Sequence, residues 1–273
     1  MIHPAFYVNH GGGPCFFMDG PMRDGCADLE AYLRMFAGGL DERPTCILVV
    51  SAHWEQRRPT VVDNNSSTLM FDYSGFPPHT YELTYPAPGS RDVAGRVREL
   101  LSDAGIETGA DADRGWDHGV FVPLKVMFPH ADIPVVQLSL QAGLDPRAHL
   151  LIGEALRPLR SEGVLIVGSG MSYHNMRGLG TSDPAFVSAA DEFDSWLRTA
   201  IADPDARNHS LAHWEDAPGA RSAHPREEHL LPLMVVAGAA AGDHAAVDFR
   251  ADVLGKPTSG FRFDSNPRQG DPT

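Results

Sequence analysis

Cysteine is scarce in this chain: Cys15, Cys26 and Cys46 are odd in number and lack C-x-x-C spacing, which argues against a disulfide framework and a cysteine zinc site. Basic charge is also short. Lys and Arg number 22 against 36 Asp and Glu, a net charge of −14, and such a surface opposes binding to nucleic acid or anionic membrane. No run approaches the roughly 18 apolar residues of a membrane span, and no basic region precedes the apolar N-terminal patch. The expectation is a cytoplasmic protein with neither nucleic-acid nor membrane partners. No H-E-x-x-H pair occurs, so the usual zinc hydrolase motif is missing.

Histidine is what the chain has in quantity, 13 in 273 residues. Val164 to Val167 is a short aliphatic run that fits a strand buried on both faces; it breaks at Gly168, Ser169 and Gly170 and delivers Tyr173, His174 and Asn175. Phe6 to Asn9 leads in the same way into His10, and Cys46 to Val50 leads through Ser51 into His53. Open α/β sheets place their chemistry in the crevice at the C-terminal ends of strands. Three strands that end in histidines therefore point to one shared site.

The remaining elements follow from periodicity. Helices are expected over Asp24 to Ala37, Ser90 to Ala104, Pro146 to about Arg160 and Pro184 to Ala202, where apolar residues recur at three and four positions. Ile133 to Leu140 reads as a further buried strand, and Pro59 to Val62 as a short one. A last helix is expected from His224 through Ala237, kinked at Pro232. The tail from Phe249 holds one edge strand. Asn64 to Pro88 is rich in turn formers and aromatics, Phe76 among them, and fits either a pocket cover or a loop packed on its own rings. The expected architecture is a single α/β domain over residues 1–262, with a central mostly parallel or mixed sheet flanked by helices and a flexible tail over 263–273.

Seven scattered histidines read as surface or packing residues, and six stand apart: His10, His53, His118, His174, His224 and His229. His118 follows Asp117, which is placed to cap a helix or to orient that histidine. Neutral imidazoles suit zinc, copper, nickel or iron(II) rather than magnesium or calcium. The residues alone lead to a histidine-rich metal site in an α/β domain.

Several long motifs in fixed order resemble one known family. HGGGP (His10 to Pro14), SAHW (Ser51 to Trp54), FDYSGFPPHTYELTYPAPG (Phe71 to Gly89), GWDHGVFVPL (Gly115 to Leu124), DIPVVQLSL (Asp132 to Leu140), VLIVGSGMSYHNM (Val164 to Met176) and HPREEHLLPL (His224 to Leu233) are similar to the class III extradiol ring-cleaving dioxygenases of the LigB superfamily, and within it to the 4,5-DOPA extradiol dioxygenase-like subgroup. The resemblance covers about Ala5 to Ala240. It implies a non-haem iron(II) centre that cleaves a catechol beside its hydroxyls with O2 to give a muconic semialdehyde-type product. By the same resemblance His10, His53 and His229 match the metal ligands, with His224 as the rival to His229. His174 matches the acid–base histidine, and His118 a histidine that contacts substrate or oxygen. Tyr173, Asn175, Trp54 and Phe76 are expected on the substrate side, although Tyr173 or Asn175 could simply complete the turn.

Two departures keep alternatives open. Three histidines also suit zinc, which leaves room for a zinc-dependent hydrolase or a non-catalytic metal-binding module on the same fold; the presence of His174 argues against the module. The first motif reads HGGGP where many subgroup members read HGSP, so the preferred catechol is open. A carboxylated substrate would need Arg114, Arg177 or Lys125 to face the pocket. Self-association into a homo-oligomer is also left open.

Overall fold

The computed structural model describes residues 2–66 and 68–265. Eight strands form one mixed sheet: β1 (Ala5–Asn9), β2 (Cys46–Gln56), β3 (Thr60–Val62), β4 (Gly109–Asp111), β5 (Val135–Gln141), β6 (Val164–Gly170), β7 (His244–Val253) and β8 (Lys256–Asp264), in the order β4-β3-β5-β2-β6-β1-β8-β7. The four central strands β5, β2, β6 and β1 run parallel. Their apolar runs are continuous because both faces are covered.

Alternation along each strand divides the core in two. Ala5, Tyr7, Cys46, Leu48, Val50, Val164 and Ile166 face one side, with the helices Arg91–Asp103, Pro146–Leu156, Pro184–Ala202 and Leu231–Ala239. Phe6, Val8, Ile47, Val49, Leu165 and Val167 face the other, with the helices Ala27–Met35 and His118–Met127. The period of two along a strand makes this division automatic. Each fully buried Val, Leu, Ile or Phe among them contributes roughly 1.5–3 kcal/mol, so the parallel centre is a firm platform for whatever its C-terminal ends carry. Among the described residues no helix is long and apolar enough to cross a membrane.

The α/β class and the mixed sheet agree with the sequence expectation, and three local features differ. The last helix begins at Leu231, not at His224, so Pro232 stands in its first turn and introduces no kink. Residues 224–230 form turns instead. The C-terminal region is a hairpin whose strand β8 lies inside the sheet beside β1, with β7 at the edge. Its two-residue turn places Leu254 at φ 51° and Gly255 at φ 77°, the left-handed pair of a tight hairpin turn. Strand β8 includes Phe263 and Asp264, which the sequence reading assigned to the tail, and residues 266–273 of that tail lie outside the described residues.

Candidate active site

The histidines converge because three parallel strands end side by side. His10 follows the last residue of β1, and its N–H donates to the Gly170 carbonyl (3.1 Å), extending the β1–β6 ladder by one rung. His53 lies within β2, where the pairing with β5 shifts register between Val50 and Glu55; such an irregularity re-aims a side chain. His229 sits just before the helix Leu231–Ala239. Its carbonyl accepts from the Tyr7 hydroxyl (2.8 Å) and from the Met171 N–H (3.2 Å). A β-carbon on Gly170 would stand 2.1 Å from that carbonyl oxygen, so only glycine lets β6 approach the histidine this closely.

The result is a cluster of three Nε2 atoms. His53 Nε2 lies 3.3 Å from His10 Nε2 and 3.2 Å from His229 Nε2, and the three residues form a group able to hold one metal ion. Their Nδ1 atoms face acceptors: the Gly11 carbonyl for His10 (2.9 Å), Glu228 Oε1 for His229 (3.0 Å) and Asp72 Oδ2 for His53 (3.5 Å). A carbonyl or carboxylate can only accept, which in the two short contacts, at His10 and His229, puts the proton on Nδ1 and leaves Nε2 with its lone pair. Burial pushes His10 and His53 well below the ordinary histidine pKa, and the neighbouring His118 adds to both shifts. Burial also brings His229 down to about 4, against the opposing pull of Glu228. Neutral imidazoles with convergent lone pairs repel one another unless a cation lies between them, so this donor set fits a nitrogen-binding metal.

The other singled-out residues surround this cluster at different depths. His174 lies flat on His229, ring centres 3.3 Å apart, with its Nδ1 3.3 Å from Glu228 Oε1. His118 packs against His53, ring centres 3.8 Å apart, and its Nδ1 lies 2.8 Å from Asp72 Oδ1. Phe76 stands over the glycine turn, its ring 3.0 Å from where a β-carbon of Gly13 would be. Trp54 is buried beneath the Arg114 guanidinium, 4.4 Å from ring centre. Tyr173 is buried in the core, and Asn175 uses both ends of its amide on the turn, donating to the Ser222 carbonyl (2.7 Å) and accepting from the Arg177 N–H (3.0 Å).

His224 stands elsewhere. It is fully buried between Phe193 and Trp214, ring centres 5.3 and 5.9 Å away, and its Nε2 donates to the Ser172 carbonyl (2.9 Å). None of the metal-capable groups among the described residues contains it.

Two carboxylates escaped sequence reasoning. Asp72 and Glu228 each face one histidine of the triad and one outside it. Burial raises the Glu228 pKa, and the hydrogen bonds with His174 and His229 outweigh this and hold the carboxyl well below the usual range. Asp72 is lowered in the same manner, with burial opposed by its bonds to His118. The signal for Glu228 was present in its adjacency to His229; Asp72 lies 46 residues from its partner, which no local pattern exposes. Asp117, expected to cap or to orient His118, does neither with its side chain. Its carboxylate accepts from Ser51 (2.7 Å), Arg114 (3.0 Å) and Gln137, and burial raises its pKa, assisted by the charge of Asp72.

A cleft of about 630 Å³ opens beside the cluster, lined by His174, Arg177, Phe186, Pro225 and Glu228 among others. Arg221 and Arg226, also on its wall, are engaged by Glu227 and Glu55. The Arg177 guanidinium has no ion-pair partner among the described residues. Lys125 instead reaches the Thr84 carbonyl (2.7 Å). A more apolar cleft of about 290 Å³, lined by Leu40, Pro44, Phe128 and Ile133 among others, lies by the N-terminal ends of β2 and β5, away from the histidines.

Comparisons with known proteins show the family and the fold. Residues 4–260 match the family described as the catalytic LigB subunit of aromatic ring-opening dioxygenase. A 4,5-DOPA dioxygenase extradiol from Beta vulgaris is 39% identical over 240 residues, covering 88% of this chain and 87% of that protein. The dioxygenase tasH of Hapsidospora irregularis is 37% identical over 255 residues, covering 88% of this chain and 78% of that protein. A solved structure of the uncharacterized protein JW3007 from Escherichia coli K12 superposes with a TM-score of 0.75 at 29% identity, covering 96% of this chain and all of that one.

Proposed function

We propose that this chain, which belongs to the LigB family and is an extradiol ring-cleaving dioxygenase, holds iron(II) on His10, His53 and His229 and uses His174 as its acid–base group. The family is metal-dependent, and its chemistry joins an aromatic substrate to O2. The observation that carries the reading is the convergence of three Nε2 atoms whose Nδ1 atoms are all directed at acceptors, with His174 stacked against the triad and outside it. His10, His53 and His229 would hold the metal through neutral imidazoles, and bound iron(II) would supply the redox chemistry that joins a catechol to O2.

The protein's own residues supply the rest. With Nδ1 turned to Glu228, His174 has Nε2 left for the substrate, where it can take a proton from a catechol hydroxyl and later return it. Glu228 keeps His174 and His229 aligned by facing both Nδ1 atoms. Phe76 and the glycine turn give the ring an apolar wall beside His10, and His118 closes the side next to His53. Arg177 on the cleft wall suits a catechol whose substituent bears a carboxylate. Residues 1–262 act as one catalytic domain, and the three buried thiols suit a reducing compartment.

The family and the relatives favour neither the zinc hydrolase nor the non-catalytic module. The test is anaerobic reconstitution with iron(II), addition of a catechol panel, and admission of oxygen. Oxygen uptake with yellow semialdehyde absorbance is the expected result; intact metal binding without uptake for any catechol would overturn the reading.

A further inference from the structure

His118 begins the helix His118–Met127, and the residue before it, Asp117, makes no side-chain cap. The capping acceptor comes from elsewhere in the chain. Asp72 Oδ1 accepts from the His118 backbone N–H (2.9 Å) and lies 2.8 Å from His118 Nδ1. One carboxylate oxygen thus holds both the main chain and the ring. Asp72 is itself brought there by a short latch, in which the Met70 N–H donates to the Trp116 carbonyl (2.7 Å) and the Trp116 N–H to the Thr68 carbonyl (2.9 Å). The aromatic-rich segment and the start of the helix are thereby locked two residues from the histidine. The other oxygen, Oδ2, lies 3.5 Å from His53 Nδ1, longer than a good hydrogen bond.

A neutral imidazole has one N–H and one lone pair. An ionised carboxylate has no proton to give, so Oδ1 accepts in both contacts and the ring proton lies on Nδ1. We propose that Asp72 is a positioning residue that fixes His118 as the tautomer with a bare Nε2, so that His118 orients the aromatic substrate by accepting a hydrogen bond from a hydroxyl and not by donating one. The inference rests on the ring-cleaving reading of the site. Ring packing places this acceptor beside the triad, with the His118 centre 3.8 Å from that of His53 and 5.3 Å from that of His10.

The arrangement makes Asp72→Asn and Asp72→Ala behave differently. An asparagine Oδ1 still accepts from the backbone N–H and from Nδ1–H, whereas alanine removes the acceptor altogether. The tautomer is read directly from long-range 1H–15N correlation spectra of the full-length, zinc-loaded protein, assigned with His118→Gln. The expected result is the Nδ1–H form in wild type and D72N, and a shift towards the Nε2–H form in D72A. With iron(II), D72A should lose about 10- to 100-fold in kcat, D72N should retain most of it, and bound metal should be equal in all three. In the His118→Gln background, D72A should cost nothing further, because a residue acting through His118 has nothing left to position.

An unchanged tautomer in D72A, or a further loss in the double variant, overturns the proposal. So does metal loss in D72A that parallels the activity loss, which would assign Asp72 to His53. Should D72A fail to fold, D72N and Asp72→Ser carry the same comparison. Absence of oxygen uptake in wild type would instead remove the ring-cleaving reading, while the tautomer spectra would still report on Asp72.

Discussion

The imidazole of His174 lies against that of His229 with ring centres 3.3 Å apart and planes 17° from parallel, and both Nδ1 atoms face the same oxygen of Glu228. On the proposed reading these two adjacent histidines, held by one carboxylate, have separate tasks: His229 shares the Nε2 cluster with His10 and His53, and His174 stands outside that triad.

His174→Ala should therefore retain the metal and lose turnover. Removal of a general acid–base group costs about 10²- to 10⁴-fold in kcat, and metal analysis of the purified variant should match wild type. Loss of metal together with activity would place His174 among the ligands.

His229→Ala and His224→Ala should separate in the opposite sense. The first removes a ligand nitrogen from the cluster and should abolish tight metal binding. The second removes a ring packed between Phe193 and Trp214, and should cost roughly 3 kcal/mol of stability while metal content is unchanged. Metal retained in H229A and lost in H224A would reverse the assignment.

The same two histidines show how far the sequence reached. The motif order exposed the triad, His174 and His118, because each lies at the end of an apolar run or within a long recognisable segment, and the parallel centre followed from four apolar runs. The motif resemblance alone favours His229 over His224, since both precede one apolar helix; the turns at 224–230 place the His229 ring in the Nε2 cluster and the His224 ring between Phe193 and Trp214. Asp72 was illegible for a related reason: its partners are 19 and 46 residues away. The β7–β8 hairpin was missed because Leu254 takes a positive φ, where sequence patterns lead one to look for Asn or Gly.

His224 also gives a pH dependence. Burial lowers its pKa from 6.5 to about 3 in the folded chain, against the hydrogen bond to Ser172. A folded-state pKa below the unfolded one favours the neutral form, so the stability is fully present above pH 6.5 and is lost as pH falls towards 3. His224→Gln should be less stable than wild type at pH 8, and that difference should shrink by about 2 kcal/mol at pH 5. Urea unfolding of the metal-free proteins at both pH values measures this; a difference independent of pH would show that His224 is protonated equally in both states.

Arg177 should discriminate between substrates. Its guanidinium lines the cleft beside His174 without an ion-pair partner among the described residues. A charge-assisted contact of about 1.4 kcal/mol corresponds to a tenfold change. Arg177→Gln should raise KM about tenfold for a catechol with a carboxylated side chain and leave KM for 4-methylcatechol unchanged. Equal effects on the two substrates would remove Arg177 from substrate recognition.

The backbone of His229 provides a graded test of how tightly the third ligand must be held. Tyr7→Phe deletes the buried hydroxyl that donates to the His229 carbonyl, yet the Met171 N–H still serves that oxygen. The carbonyl keeps one donor, so the cost should be only about 1 kcal/mol of stability, with little change in metal affinity. Gly170→Ala is a different perturbation, because the added carbon would stand 2.1 Å from the same oxygen, and 3.1 Å from the Tyr7 hydroxyl. A backbone carbonyl cannot swing aside as a flexible side chain can, so the turn carrying His229 must move away from β6 and take its Nε2 out of the cluster. G170A should thus weaken metal binding at least 10-fold more than Y7F, measured by competition with a chromophoric chelator. Equal affinities in the two variants would mean that the turn, and not its seat on β6, sets the position of His229.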